Sequence, residues 1–310
     1  MFLFKKNPAA KFSGNRLEII LYHFVSDRKN DFTSTGHTVT TPEFRRQLQY
    51  LCAHFTIIRL SEAAGLWETA SEKPAAYAAI CFDDGYRCIL EEAYPILREM
   101  RLPSTMFINP PVLGNRDLLW RDKIRYLIKN GLEEEFVSFL RAQGGSYNFR
   151  LLKDLGFYRW SKNPKALRGM AIQKDVSLFF SRKGIDASAI ASANALFLSE
   201  EDIATLDFLE FGNHTWSHPI LTLQSAASQR EEIVKCHEYL KSKGIAPIGL
   251  ALPFSPYDRH TVAVCRELDY DHILTVYEQT NYVASGNRAR PFVLHRRMAP
   301  MEASGFISIL

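Results

Sequence analysis

Long apolar runs are absent from this 310-residue sequence. No stretch approaches the roughly 18 apolar residues of a membrane span, so no span is predicted. The N-terminus has only the apolar stretch Met1–Phe4 before Lys5 and Lys6, whereas a signal peptide needs an uninterrupted apolar core of about 7–15 residues. We therefore expect a cytoplasmic protein, with peripheral association at a membrane surface left open.

Paired cysteine motifs and a strong charge of either sign are also lacking. The 5 cysteines form no CxxC pair, and buried free thiols are the favoured interpretation. A net charge of +4 is too small to indicate a nucleic-acid partner, although it suits an anionic glycan or a membrane surface. Hydrophobic residues make up 46% of the chain, as in a globular protein with a full core.

Short β-type runs alternate with helix-type segments along most of the chain. One predicted helix spans Pro42–Phe55, with Thr41 as its N-cap and Pro42 in its first turn. Alternation of this kind favours a parallel sheet or barrel of the α/β class. The predicted strands are residues 19–22, 56–60, 77–82, 104–108, 208–211, 248–252 and 272–276.

The alternation stops between about Asn115 and Ser199, where the sequence predicts helices at Lys123–Lys129 and Leu132–Arg141. We interpret this segment as a helical insertion within a single domain of residues 1–310. Simple helix packing is the favoured interpretation of Trp120, and a contribution of the Trp120–Lys123 stretch to a substrate groove is the alternative.

Polar residues follow three of the predicted strands at the point where each strand ends. They are Tyr22-His23, Asp83-Asp84-Gly85 and His214–Pro219. The carboxyl ends of parallel strands are where α/β proteins build their sites. Adjacent aspartates after an apolar strand are costly to bury unless a partner such as a metal ion compensates them. The alternative is an ordinary Asp-Gly turn.

Two histidines make a metal site the better interpretation. His214 and His218 are four positions apart and are predicted to lie on one side of a helical turn, where both can face one ion. With one carboxylate they supply three protein ligands and leave positions open for water and substrate, as catalytic sites require. Taken alone, an HxxxH pair is usually a surface or capping pair.

These motifs resemble those of the polysaccharide deacetylases of carbohydrate esterase family 4, the family with the NodB-homology domain. Cys81–Gly85 resembles the (T/S)FDDG motif, with cysteine in place of the hydroxyl residue, and His214–Pro219 matches the H(S/T)xxHP motif. The resemblance implies a distorted (β/α)7-type barrel with the helical insertion between the two motifs. It also implies that Asp83 is the general base and that Asp84, His214 and His218 bind the metal.

The residues Ala251–Asp258 resemble a further stretch of the family, A-W-P-Y-G-x-Y-N. The resemblance implies that the backbone amide of Phe254 stabilises the oxyanion and that Pro253 and Tyr257 contact the substrate. Ser255 stands where the family has glycine, so the local turn is expected to differ. An ordinary proline-rich loop is the alternative.

The catalytic acid has two candidates. Tyr22–Val25 resembles the YHx(V/I) start of the exopolysaccharide-type branch, which favours His23; His295, near the C-terminus, is the competitor. Arg296 or Arg297 resembles an arginine of that branch that orients the base or the substrate.

The predicted reaction is metal-dependent removal of N-acetyl groups from an amino sugar, with Zn2+ as the first choice and Co2+, Ni2+ or Fe2+ as alternatives. The expected substrate is an N-acetylated saccharide, and a cytoplasmic location favours a lipid-linked or nucleotide-linked precursor over a secreted polymer. Removal of formyl groups, cleavage of O-acetyl esters, and a catalytically silent glycan-binding protein are the competing functions.

Overall fold

The computed structural model describes residues 14–28, 32, 38–67, 75–284, 292–302 and 304–305. The N-terminal residues on which the expected cytoplasmic location rests lie outside these ranges. Within them, no helix is both long enough and apolar enough to cross a membrane.

Seven parallel strands close into a barrel, which confirms the predicted fold. Their order around the barrel is β1, β11, β9, β8, β7, β6, β5 and back to β1. β10 pairs antiparallel with β1, β4 flanks β5, and β2 pairs with β3 in a separate ribbon. The strands are β1 Gly14–Tyr22, β2 Phe24–Val25, β3 Thr38–Val39, β4 Thr56–Ile57, β5 Ala76–Phe82, β6 Ser104–Ile108, β7 Leu209–Asn213, β8 Gly249–Ala251, β9 His272–Val276, β10 Asn281–Ala284 and β11 Val293–Met298.

Helices surround the barrel and form the segment between β6 and β7. The α-helices are α1 Thr41–His54, α2 Tyr94–Met100, α3 Trp120–Lys129, α4 Glu133–Ala142, α5 Leu152–Leu155, α6 Phe157–Trp160, α7 Pro164–Leu167, α8 Ile172–Lys183, α9 Ala187–Ala193, α10 Glu200–Thr205, α11 Ala226–Ser242 and α12 Arg259–Glu267. Short 3-10 helices span Leu60–Trp67, Pro110–Asn115, Phe149–Leu151 and Leu221–Leu223, and a π-helix spans Ile89–Ala93.

The start of α1 differs from the prediction by one residue. Thr40, not Thr41, is the N-cap, and its side chain accepts a hydrogen bond from the amide of Glu43. Pro42 still lies in the first turn, where its missing N–H leaves no bond unmade.

Alternate residues along the barrel strands point to opposite sides, as the period of two of a strand requires. Leu17, Ile19 and Leu21 of β1 belong to the apolar cluster that fills the barrel, together with Phe107 of β6. A Cβ at position 212 of β7 would lie 2.3 Å from the Phe107 ring, so the glycine there leaves room for this side chain.

The inserted helices have an apolar core of their own, formed around Phe136 and Trp160. Tyr86, which follows the Asp83–Gly85 turn, is fully buried in that same cluster. The insertion is therefore packed directly against the loop that carries the two aspartates.

The cysteine prediction is correct for Cys81, Cys236 and Cys265, which are buried free thiols. It is wrong for Cys52, which lies on an exposed position of α1, and Cys88 is only partly buried.

Candidate active site

The three polar segments meet at the carboxyl end of the barrel. Tyr22 at the end of β1 is in register with Phe82 at the end of β5, so His23 and Asp83 leave neighbouring strands at the same level. β6 lies between β5 and β7, and the strand register brings the loop that begins at His214 to the same end of the barrel.

Asp84, His214 and His218 form the candidate metal centre. All three are buried, and one potential ligand atom from each lies within 4.8 Å of the other two. The Nε2 atoms of His218 and His214 lie 3.3 Å and 3.5 Å from Oδ1 of Asp84. The structure thus brings together the three side chains that the sequence predicts as ligands.

The two histidines converge on a loop and not on a helical turn, so that part of the prediction is wrong. Thr215 and His218 both have positive φ angles, of 66° and 59°, and the loop bends back at these positions. Hydrogen bonds hold the bend: Asn109 Nδ2 donates to the carbonyls of His214 and Thr215, and Trp120 Nε1 donates to that of His218 at 2.8 Å.

The protonation of the site suits a cation. His214 Nδ1 is 2.8 Å from the carbonyl oxygen of Ala251, and donation at that nitrogen leaves the Nε2 lone pair facing Asp84. Burial lowers the pKa of His218 to about 4, so its imidazole is neutral at neutral pH. Oδ1 of Asp84 is buried and accepts no hydrogen bond from any described residue. Two imidazole nitrogens and an unpaired carboxylate oxygen are a donor set that fits zinc and similar divalent metals.

Asp84 is also held by a residue that the sequence analysis did not single out. Arg121 of α3, in the insertion, donates to Oδ2 of Asp84 at 2.8 Å, so Oδ1 alone faces the imidazoles. Burial by itself would raise the pKa of the Asp84 carboxyl, but the Arg121 guanidinium holds it well below its ordinary value. The only sequence signal was the polar Trp120–Lys123 stretch.

Asp83, the predicted base, is paired with Arg296 of β11. The guanidinium binds both carboxylate oxygens, at 2.7 Å and 2.9 Å, and the Arg296 side chain is fully buried. Burial alone would raise the pKa of Asp83, but Arg296 lowers it below its ordinary value. Arg296 contacts the predicted base and does not line the cavity, so of its two predicted roles the geometry supports orientation of the base. Its predicted substrate contact stays a prediction.

His23 lies beside the other carboxylate oxygen of Asp84, with its Nε2 3.8 Å from Oδ2. It lines a cavity of about 300 Å³ that also reaches Asp83, His214 and His218. His295 alternates with Arg296 along β11 and therefore points to the other face of the strand. Its Nδ1 lies 2.8 Å from the Thr275 hydroxyl. Of the two candidate acids, the structure brings His23 to the site.

The segment after β8 supplies one wall of the same cavity. Pro253 and Phe254 line it, and the Phe254 ring packs edge-on against the His218 ring at 5.1 Å. Phe254 and Ser255 have φ angles of 60° and 79°, so the serine that replaces glycine adopts the left-handed conformation itself. Tyr257 is 39% exposed and lies outside the residues that line the cavity, so its predicted substrate contact stays a prediction.

Asn109 gives a test of how the histidine loop is held. Replacement of Asn109 by alanine removes two donors from buried carbonyls, and groups that orient ligands in this way typically contribute about 10–100-fold to metal affinity. We expect zinc affinity, measured by competition with a chelator, to fall within that range. Replacement of Asn130 by alanine, at the exposed end of α3, is the control and should leave affinity unchanged. Unchanged affinity in both variants would show that the loop holds its shape without Asn109.

Comparisons with known proteins agree with the site. The sequence profile of the polysaccharide deacetylase family matches residues 70–136 and 202–273, which carry both motifs, and leaves out most of the insertion. A putative polysaccharide deacetylase, YxkH of Bacillus subtilis, is 25% identical over 134 residues, covering 42% of this chain and 45% of that protein. The poly-beta-1,6-N-acetyl-D-glucosamine N-deacetylase of Staphylococcus epidermidis is 27% identical over 143 residues, covering 41% of this chain and 50% of that protein.

Solved structures share the fold over nearly the whole chain. The Streptococcus pyogenes deacetylase PplD, in complex with acetate, superimposes with a TM-score of 0.59 at 16% identity, covering 95% of this chain and 97% of that one. IcaB from Ammonifex degensii superimposes with a TM-score of 0.56 at 15% identity, covering 93% of each chain. The profile match and the two motifs at the barrel mouth identify the chain as a member of the polysaccharide deacetylase family, and the solved structures share its fold.

Proposed function

We propose that this protein is a metal-dependent N-deacetylase that releases acetate from an amino sugar in a polysaccharide, an oligosaccharide or a glycan precursor. One observation carries the proposal. Asp84, His214 and His218 converge beside a second aspartate, Asp83, which is held ionised by Arg296 at the edge of a cavity. A base next to a three-ligand metal site is what hydrolysis of an unreactive amide requires.

Asp84, His214 and His218 would hold the cation, most simply Zn2+, with Co2+, Ni2+ and Fe2+ also suited to this ligand set. When bound there, such an ion supplies Lewis acidity that polarises an acetyl carbonyl and acidifies a water molecule.

Asp83 would act as the general base. Its carboxylate lies 3.7 Å from Nε2 of His214, close enough to the candidate metal centre to accept a proton from an attacking water. Arg296 holds both oxygens in a fixed plane and keeps the group ionised, so the base is oriented before substrate arrives.

The remaining two roles belong to two further residues that line the cavity, Phe254 and His23. The Phe254 amide would donate to the oxyanion of the tetrahedral intermediate, and one such donor typically contributes about 3–4 kcal/mol to catalysis. His23 would protonate the departing sugar amine. Both residues line the cavity that Asp83 and the two histidine ligands share.

The relatives narrow the choice of acyl group and sugar. Curated relatives are named as N-deacetylases of poly-beta-1,6-N-acetyl-D-glucosamine, which supports an N-acetylglucosamine-type substrate here. The matched segment spans about half of those proteins or less, so the substrate of this chain is itself part of the proposal.

Acetate release from a panel of N-acetylated sugars and oligosaccharides tests the proposal. The enzyme is stripped of metal and reloaded with zinc or cobalt, alongside an Asp84→Ala variant. We expect release that returns with the metal and is absent from the variant. A panel that includes N-formyl and O-acetyl sugars extends the test: release of formate alone, or cleavage of esters alone, would replace the N-acetyl assignment. Stoichiometric metal binding without any release would leave a glycan-binding protein.

A further inference from the structure

The insertion contributes a cationic wall to the catalytic cavity. Arg121 and Arg125 lie one turn apart on α3, and Tyr158 and Lys162 come from α6 and the residues after it; all four line the cavity. Among the described residues that line the cavity, Asp83 is the one carboxylate, whereas Arg121, Arg125 and Lys162 are three cationic side chains. Asp83 is already paired with Arg296, so it does not neutralise the wall.

Hydrogen bonds within the protein use only some of the N–H donors of Arg121 and Arg125. Arg121 donates to Asp84 through Nη2, and Arg125 donates to Asp122 through Nη1 at 2.6 Å. Both arginines are more than nine-tenths buried, and the Nε of each has no hydrogen-bond partner among the described residues. An unpaired buried donor is costly, so these Nε atoms mark positive charge that the described residues compensate only in part.

Lys162 is the one cation of the wall with no carboxylate partner in the described part of the chain. Its ammonium lies 4.4 Å from the centre of the Tyr158 ring. Burial, aided by repulsion from Arg121 and Arg125, lowers the pKa of Lys162. Burial alone would raise the pKa of Tyr158, yet Arg121, Arg125 and Lys162 together bring it below its ordinary value. The lowered pKa of Tyr158 reports a positive potential at this wall.

We propose that Arg121, Arg125 and Lys162 form a subsite for an anionic group. This group, a phosphate or a carboxylate, is carried by the saccharide close to its N-acetyl group. The inference rests on the proposed function, because the subsite shares its cavity with Asp83 and the histidine ligands. Guanidinium groups bind phosphate and carboxylate oxygens through directed, charge-assisted hydrogen bonds, which a neutral sugar cannot offer. The wall would therefore select charged saccharides over neutral ones.

Matched substrates test the selectivity. The values of kcat/KM for deacetylation are compared for N-acetylglucosamine, N-acetylglucosamine 1-phosphate and N-acetylmuramic acid, the last two carrying a phosphate and a carboxylate. We expect at least one anionic sugar to exceed the neutral one by roughly tenfold or more, the effect of a single charge-assisted hydrogen bond. The anionic sugar with the higher kcat/KM identifies the anion that the subsite prefers.

Lys162→Ala separates this subsite from the metal centre. The variant should lose about tenfold on the preferred anionic substrate, mainly through KM, and keep its rate on N-acetylglucosamine. Lys165→Ala, an exposed lysine of α7 close in sequence, is the matched control and should behave as the wild type. Equal kcat/KM for neutral and anionic sugars, or an anion preference that survives in Lys162→Ala, would overturn the proposal.

Binding without turnover keeps this test independent of the deacetylase assignment. Glucose 1-phosphate and glucuronic acid, compared with glucose, carry the anion but no acetyl group, and their affinities are measured by calorimetry on the metal-loaded protein. Tighter binding of either anion that Lys162→Ala weakens supports the subsite even if no acetate is released from any sugar. Deacetylation of neutral sugars with no anion-dependent binding would leave the proposed function standing and refute the subsite.

Discussion

Replacement of Asp83 by asparagine is expected to lower acetate release by about 10²–10⁴-fold while the protein still binds its metal. Loss of a general base has an effect of this size, and asparagine keeps the shape of the side chain without its basicity. Asparagine can still accept a hydrogen bond from Arg296, so the fold should be retained. The measurements are kcat/KM for a hydrolysed N-acetyl sugar and the metal content of the purified variant.

The neighbouring Asp84→Asn variant is the matched control for that experiment. Both substitutions remove one charge at adjacent positions, but the free Oδ1 of Asp84 faces the two imidazoles whereas both oxygens of Asp83 are bound by Arg296. We expect Asp84→Asn to lose metal and activity together, and Asp83→Asn to lose activity alone. Deacetylation near the wild-type rate in a metal-loaded Asp83→Asn protein would show that another group is the base.

Six of the seven barrel strands could be predicted from the sequence, because each contains a short apolar run; β11, the seventh, was not among the predicted strands. Two predicted strands, 104–108 and 272–276, agree with β6 and β9 at both ends. The position of the site was also predictable, since Asp83, Asp84 and His214 each follow directly after a strand. These are local signals: a strand ends, and a polar side chain comes next.

The geometry of the histidine pair was not predictable, because it depends on backbone conformations that the residue types disfavour. Thr215 and His218 adopt positive φ, which non-glycine residues rarely do. Bonds from Asn109, about 105 positions away in sequence, and from Trp120 in the insertion hold the loop in this shape. Spacing alone suggested a helical turn, since it contains no information on such distant donors.

The roles of Arg296 and Arg121 likewise depend on contacts between residues far apart in the sequence. Arg296 lies 213 positions from Asp83, and only closure of the barrel places β11 beside β1 so that the two side chains meet. Arg121 belongs to an insertion that had no motif to mark it, yet it binds Asp84. The strand alternation that turns Arg296 inward also turns His295 away, and this separates the two candidate acids.

Arg296→Gln is expected to destabilise the fold and to raise the pKa of the base. The pair with Asp83 is buried, and removal of one partner from a buried ion pair typically costs about 3–5 kcal/mol of the free energy of unfolding. The pKa of Asp83 is lowered in the folded protein, so the pair stabilises the fold above the pKa of the unfolded carboxyl, and this contribution is lost as the pH falls through the folded-state value. Denaturant unfolding at neutral pH and at low pH measures the free energy of unfolding and its dependence on pH. The difference in this free energy between variant and wild type should shrink on acidification.

The same substitution should move the acid limb of the pH–rate profile to higher pH. Without the guanidinium the pKa of Asp83 rises, so a larger fraction of the base is protonated at a given acidic pH. Arg297→Gln is the matched control, because Arg297 pairs with Glu18 at 2.9 Å and is separate from the Asp83 pair. That variant should lose some stability and keep the wild-type profile. An Arg296→Gln enzyme with reduced stability but an unshifted acid limb would mean that the pair stabilises the barrel without changing the pKa of Asp83.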